Sequence, residues 1–231
     1  MTILNHDYIQ DKITKNDGKE DVKYRWSHGA TDKHLGDGML IYSLIYYHKF
    51  QTCVCLGSGG GFIPRIMTQA RFDLYEAGIF EGNNDINWGD IGSTYLVDAA
   101  NGVGGFTDWT DENSFFRKHF DPRLLLTTTE RAFYDFFVKE DIKIDYLHID
   151  AGHSYEDVKQ DFELYSQLLQ PHGIISIHDT DTSFEKEHYI TDDIRDGFHQ
   201  EYANGPAQLI KELQESGGWE IFNFFNNGIF R

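Results

Sequence analysis

Five times along this chain a short β-prone run is followed by a helical pattern, and this alternation restricts the fold more than any other feature. The runs are residues 52–56 (TCVCL), 94–97 (TYLV), 123–127, 144–149 and 174–177. Ahead of the first, residues 37–49 form a helical pattern with Leu40, Leu44 and Tyr47 on one face. A second helix opens near Phe62, with Pro64 tolerated because it falls in the first turn. Residues 113–120 and 130–139 read as helices, while 72–92, rich in Gly, Asn and Asp, read as containing an irregular insertion. Ser154 is placed to cap a further helix whose stripe is Val158, Phe162, Tyr165 and Leu169, stopped by Pro171-His172-Gly173. Strands alternating with helices imply a doubly wound, mostly parallel sheet covered on both faces. At the tail, 219–225, then Asn226-Asn227-Gly228, then 229–230 read as an antiparallel hairpin. The expected class is therefore α/β, with a seven-stranded sheet closed by that hairpin.

A length of 231 residues suits one such domain. Residues 1–35 are polar and read as a lead-in or lid segment, and 36–231 as the domain itself. The net charge of −18 disfavours nucleic acid and anionic membrane surfaces as partners, since both require a basic face. The N-terminal stretch has no apolar signal core, so a cytoplasmic location is expected. The two cysteines, Cys53 and Cys55, are one residue apart on a strand and face the same way. That geometry is poor for a disulfide, and they read as small buried hydrophobes.

The first strand runs straight into Gly57-Ser58-Gly59-Gly60-Gly61. In doubly wound sheets ligands sit beyond the C-terminal strand ends, and residues without side chains let backbone approach a ligand closely. The spacing is not G-x-G-x-x-G, which disfavours the dinucleotide fingerprint, and there is no P-loop motif. Asp98 ends the second strand, where a carboxylate can accept hydrogen bonds from a ribose diol. The bland readings are a tight turn and a solvated strand-end acid.

These residues resemble class I S-adenosylmethionine-dependent methyltransferases: Cys55 through Gly61 look like motif I, and Asp98 matches the acid of motif II. The resemblance implies that Gly57, Ser58, Gly59 and Gly61 cradle S-adenosylmethionine and that Asp98 holds its ribose. It places the adenine at 127–130, with Thr129 as the contact, and brings Asp150 to the cofactor as well. The chain departs from the family in having Cys55 where an acid is frequent. The cofactor's amino group is then left to backbone carbonyls or Asp37.

The densest chemistry lies in Asp150-Ala151-Gly152-His153-Ser154-Tyr155, followed by helix, strand and His178-Asp179. Two carboxylates at neighbouring strand ends repel unless protonated or bridged by a cation. Oxygen-rich sites of this kind suit Mg²⁺, and an added imidazole admits Mn²⁺ or another divalent metal. The stretch from Gly36 to Asp179 is similar to the macrocin and sugar O-methyltransferases and to cephalosporin-hydroxylase-like proteins. Asp150 and His153 match the family's Asp-x-x-His, Asp179 matches the second acid at the fifth strand, and His178 stands where the first acid would be. The resemblance implies a divalent metal on Asp150 and Asp179 with His178 as a third ligand or a structural histidine. His153 is then either the base that takes the acceptor's proton, with Asp150 beside it, or a residue that orients Asp150. Tyr155 is expected to pack beneath the cofactor, and His28 and His34 to be surface histidines. The implied activity is O-methylation of a small hydroxylated acceptor such as a sugar or glycoside, by a chain that forms a homo-oligomer. A hydroxylase-like enzyme and a cofactor-binding protein on the same fold are the alternatives.

Overall fold

The computed structural model describes residues 13, 28, 30, 35–57, 61–77, 92–99, 110–120, 122–180, 204–224 and 227–230. Ser58, Gly59 and Gly60 lie outside the described residues, as do His34, nearly all of the 1–35 lead-in and the acidic run that begins at Asp181. The chain divides into two compact units, residues 1–127 and 128–231.

In the first unit, α1 (Asp37–His48) precedes β1 (Thr52–Leu56), α2 (Phe62–Glu76), β2 (Ser93–Asp98), α3 (Phe115–His119) and β3 (Arg123–Leu126). The strands pair in parallel, β1 with β2 and β2 with β3. Their apolar positions are continuous rather than alternating, as a strand covered on both faces requires: Cys53 to Leu56 and Leu96 to Val97 are fully buried. Neither cysteine forms a disulfide, in keeping with their reading as small core residues.

Two expectations in this unit need correction. The packed face of α1 is Gly38, Ile41, Tyr42 and Ile45, whereas Tyr47 stands 80% exposed. The register is set by Gly38, where a β-carbon would meet Ile66 Cδ1 and Phe62 Cζ, each at 2.8 Å. The missing side chain lets α1 lie close on α2, and the stripe that follows is i, i+3, i+4, i+7 from Gly38. Residues 72–76, expected in an irregular insertion, instead complete α2. They hold there because α2 is buried nearly all round and its last turns pair their polar groups inside. Asp73 accepts from Tyr42 at 2.6 Å and from Gln69 at 2.9 Å, and Arg71 donates to Thr94 at 2.6 Å.

In the second unit, α4 (Thr129–Ala132) continues into a π-helical turn (Phe133–Phe137). Then come β4 (Ile144–Ile149), α5 (Tyr155–Tyr165), a 3₁₀ turn, β5 (Leu169–Ile177), α6 (Gly205–Ser216), β6 (Ile221–Phe224) and β7 (Asn227–Phe230). β4 and β5 are parallel, β7 runs antiparallel to β5, and β6 is antiparallel to β7. Ser154 caps α5 as expected, accepting from the Asp157 amide at 3.1 Å. Such a cap contributes about 1 kcal/mol. Val158, Phe162 and Tyr165 form the buried stripe, but Leu169 opens β5 instead of extending it. The helix ends before Pro171 because the 3₁₀ turn over Ser166–Leu168 tightens its last carbonyls.

Helix α6 has no counterpart in the sequence reading. Its signals are Pro206 in the first turn, Leu209, Ile210 and Leu213 on the buried side, and Gly217 in the left-handed conformation after its end. Among the described residues no helix is long and apolar enough to cross a membrane.

Candidate functional site

The first unit offers a site made of backbone. Gly57 leaves β1 at φ 73°, and its amide donates to the Val97 carbonyl at 2.8 Å. Gly61, at φ 83°, caps α2. Both angles are in the left-handed region that glycine enters without cost. Neither the residue that follows β1 nor the one that caps α2 thus carries a side chain. Asp98 follows Val97, the register partner of Leu56, so the acid closes β2 at the level where Gly57 leaves β1. Cys55 sits where an acid is frequent, and its thiol donates to the Gly57 carbonyl at 2.9 Å. It tightens the turn from within, a role a carboxylate could not fill, having no proton to donate. Asp37 begins α1 and is half-buried. His28 is not the surface residue expected: it is buried and stacked on Phe62 with ring centroids 5.4 Å apart. The apolar ring of Phe62 at the start of α2 gives the imidazole a face to lie on.

The second unit offers a site made of side chains. Asp150 ends β4 and Asp179 lies two residues beyond β5, and the His178 amide donates to the Ile149 carbonyl at 3.0 Å, carrying the strand pairing one step past the ladder. His153 Nε2 lies 3.0 Å from Asp179 Oδ2 and 3.4 Å from Asp150 Oδ1. His178 Nδ1 lies 3.2 Å from Asp179 Oδ1 and 3.4 Å from Asp150 Oδ1. Two carboxylates are thus bracketed by two imidazoles. The sequence brought these four residues forward, and the structure brings all four together.

The electrostatics follow from that bracketing. Burial opposes the charged form of His153, but hydrogen bonds and charge from Asp150 and Asp179 outweigh it and lift its pKa to about 10. His178, buried more deeply, is raised well above the ordinary range by the same two carboxylates against the same opposition. Burial would raise Asp179, but His178 and the hydrogen bond from His153 hold it well below the usual carboxylate range. Without another cation, a proton on imidazole is therefore what keeps the two carboxylates together at neutral pH.

Local sequence explains the placement. Asp179 has φ 55°, a left-handed conformation that costs a non-glycine residue about 1–2 kcal/mol. Gly152 is required because a β-carbon there would lie 2.6 Å from that of Asp157. Gly205, at the start of α6, rests directly on the backbone of residues 153–155, and a β-carbon would come within 2.4 Å of the His153 carbonyl. Tyr155 donates to Glu212 of α6 and accepts from Lys159 at 2.9 Å, and Lys159 also reaches Glu212 at 2.8 Å. The Tyr155 hydroxyl is therefore engaged with α6.

A polar row beneath the centre went unread in the sequence. Tyr146 donates to Ser176 Oγ at 2.8 Å, and His148 Nδ1 lies 2.8 Å from the same oxygen, all fully buried. The signal was the alternation of Tyr146 and His148 in β4, hidden because strands covered on both faces are expected to be apolar throughout. Thr129, the expected adenine contact, starts α4, and its carbonyl accepts from the Tyr165 hydroxyl at 2.8 Å.

One ligand atom each from Asp150, His153 and Asp179 fall within 4.8 Å of one another, the spacing of a site for one metal ion. Two hard oxygens and one imidazole suit Mg²⁺ or Mn²⁺. His178 touches the same carboxylates and stands as a further donor or as their structural support.

Residues 64–180 match the family described as a methyltransferase domain. An uncharacterized protein, y4gI, of Sinorhizobium fredii is 42% identical over 59 residues, 26% of this chain and only 6% of that protein's length. Among solved structures, an O-methyltransferase from Bacillus cereus in complex with SAH shares 11% identity at a TM-score of 0.59, covering 97% of this chain and 94% of that one. TomG, an O-methyltransferase from Streptomyces achromogenes involved in Tomaymycin synthesis and solved with SAM, shares 12% at 0.59, over 97% and 93%. CalS11, a TDP-rhamnose 3′-O-methyltransferase of Calicheamicin biosynthesis, shares 12% at 0.51, over 84% and 76%. At these identities the likeness is one of fold, an α/β fold with parallel strands of the Rossmann-like methyltransferase kind.

Proposed function

The chain belongs to the methyltransferase-domain family, and from that premise we propose that it is a class I S-adenosylmethionine-dependent methyltransferase that methylates an oxygen of a small hydroxylated acceptor. The observation that carries this reading is His153 Nε2 lying 3.0 Å from Asp179 and 3.4 Å from Asp150. Oxygen methylation needs a hydroxyl to lose a proton as it attacks the methyl carbon, while the carbon–sulfur bond breaks and S-adenosylhomocysteine leaves. A sulfonium methyl is already electrophilic, so alignment of the two substrates supplies much of the remaining barrier reduction.

In this reading Gly57, Ser58, Gly59 and Gly61 cradle the cofactor, Asp98 takes the ribose diol, Thr129 the adenine, and Asp150 the end nearest the reacting methyl. Domain 36–231 is the cofactor-binding body, with its strands in a single doubly wound seven-stranded sheet ending in the hairpin, and residues 1–35 are a lead-in or lid segment.

A divalent cation, Mg²⁺ or Mn²⁺, held by Asp150 and Asp179 with His178, would lower the pKa of an acceptor hydroxyl and relieve His153 of its proton. His153 is the base in this scheme: its Nε2, engaged by Asp150 and Asp179 in the metal-free site, would be released to take the acceptor's proton when the two carboxylates turn to the cation. A second reading has a specific observation behind it. With a pKa of about 10, His153 on its own keeps its proton at neutral pH and serves as a hydrogen-bond donor that orients the acceptor oxygen. Dependence on Mg²⁺ separates the two.

The sugar or glycoside acceptor is supported by the fold shared with a TDP-rhamnose 3′-O-methyltransferase. Membership of a methyltransferase family favours methyl transfer over hydroxylase-like chemistry or cofactor binding without turnover. The acidic net charge fits a cytoplasmic enzyme without nucleic-acid or membrane partners, and light scattering tests the homo-oligomer. Isothermal titration of S-adenosylmethionine with Mg²⁺ and with chelator, followed by assay on glycosides and phenols, tests the function. Binding with Mg²⁺-dependent transfer is expected, and no binding under either condition contradicts it. An Asp150→Ala variant with full activity would remove the metal.

A further inference from the structure

The polar row on β4 and β5 has no part in the chemistry above, yet it stands where a strand covered on both faces is ordinarily apolar. Tyr146 and His148 alternate along β4 and so share one face, and Ser176 of β5 is the register partner of His148. All three are buried in the core. Their polar groups converge on a single oxygen. Ser176 Oγ accepts from the Tyr146 hydroxyl at 2.8 Å and lies 2.8 Å from His148 Nδ1. The Ser176 hydroxyl also donates to the Leu147 carbonyl at 3.4 Å. These contacts set the orientation of the His148 ring, because a flip would withdraw Nδ1 from the serine oxygen.

The next layer up is His178, two residues beyond Ser176. Its ring meets that of His148 with centroids 6.1 Å apart and planes at 52°, within the range of aromatic contact. His178 Nδ1 in turn lies 3.2 Å from Asp179 and 3.4 Å from Asp150. Five side chains thus follow one another from the Tyr146 hydroxyl, through Ser176, His148 and His178, to the carboxylate pair. Filling the core does not require this. Apolar groups of similar shape at all three positions would avoid the desolvation of a phenol, an imidazole and a hydroxyl at little or no loss of stability. What the row touches next accounts for its chemistry, and that is His178.

We propose that Ser176 is a positioning residue for the cation site: through His148 it seats the His178 ring, and His178 holds Asp150 and Asp179 in their arrangement. The inference rests on the reading of those two carboxylates as ligands of a divalent cation. Outer groups that orient a metal's ligands typically change its affinity about 10–100-fold when removed.

The test is titration of the full chain with Mn²⁺, free ion followed by electron paramagnetic resonance, for the wild type, Ser176→Ala, Tyr146→Phe and Ile174→Ala. Thermal melts of the same proteins confirm that each is folded at the temperature of the titration. Ser176→Ala is expected to bind Mn²⁺ about tenfold more weakly than the wild type. Tyr146→Phe leaves the contact between Ser176 and His148 in place, and a smaller fall is expected. Ile174, the buried register partner of Tyr146, belongs to the core and not to the row. Ile174→Ala should therefore lower Tm and leave Mn²⁺ affinity unchanged. An equal loss of affinity in Ile174→Ala would mean general softening of the core and overturns the proposal. So does a folded Ser176→Ala with wild-type affinity. Should Ser176→Ala fail to fold, Tyr146→Phe decides, and wild-type affinity in that variant overturns the proposal. A wild type that binds no Mn²⁺ sinks the cation reading and this inference with it, whereas wild-type binding that the row variants leave intact sinks the inference alone.

Discussion

Gly57 and Asp179 both turn the chain just beyond a parallel strand, and both do so with positive φ, 73° and 55°. Glycine adopts that conformation freely, whereas aspartate pays roughly 1–2 kcal/mol for it. On the proposed function, the glycine at the first position clears a side chain away so that backbone can face the cofactor. The second keeps a strained residue because its carboxylate must meet His153 and His178, at 3.0 and 3.2 Å. Strain of this kind persists where the surroundings over-determine it, and it collects at functional positions. On the proposed function, a cofactor bound by backbone and a reaction run by side chains should therefore respond differently to substitution.

The largest effect is expected at Asp179. Asp179→Ala removes one of the two carboxylates holding His153, and turnover should fall about 10²–10⁴-fold, measured as initial rate at saturating S-adenosylmethionine. S-adenosylhomocysteine affinity should change little, and a parallel loss of affinity would break the division between the two regions. Gly57→Ala should do the reverse. Its strain of about 1–2 kcal/mol corresponds to roughly a tenfold loss in cofactor affinity by titration, with turnover at saturation retained.

How much of this was legible in the sequence also divides along that line. The strands β1 and β4 and the cap at Ser154 were readable because each is specified locally, by β-branched runs and by a side chain two or three residues from its partner. The face of α1 was misread because Gly38, not the most apolar residues, decides which side meets α2. Asp150, His153, His178 and Asp179 could be nominated from their strand-end positions, yet their mutual distances depend on β4 and β5 pairing in register. Neither the contact of Gly205 with residue 153 nor that of Tyr165 with Thr129 has any local signature. Both join elements distant in sequence.

Gly205 sharpens the comparison at smaller magnitude, since this glycine serves side-chain chemistry. Gly205→Ala would force a methyl against the His153 carbonyl, costing about 1–3 kcal/mol of stability, read as a lowered Tm. Turnover should drop more than cofactor affinity. The smallest effect is gradual. His153 has a raised folded-state pKa, so its contribution to the stability of metal-free protein is complete below about pH 6.5 and is lost as pH rises through about 10. Partial exposure reduces this to on the order of 1 kcal/mol. Chemical denaturation in chelator across that range should show the decline, and His153→Gln should flatten it.

The central claim is that a methyl group leaves sulfur for oxygen at the Asp150–His153–Asp179 centre. NMR of a reaction containing S-adenosylmethionine labelled with ¹³C at the methyl, the protein, a glycoside acceptor and either Mg²⁺ or chelator follows that carbon directly. The account predicts an O-methyl product with Mg²⁺ and little or none with chelator. Label that reaches nitrogen or carbon, or that remains on sulfur although the cofactor binds, contradicts it.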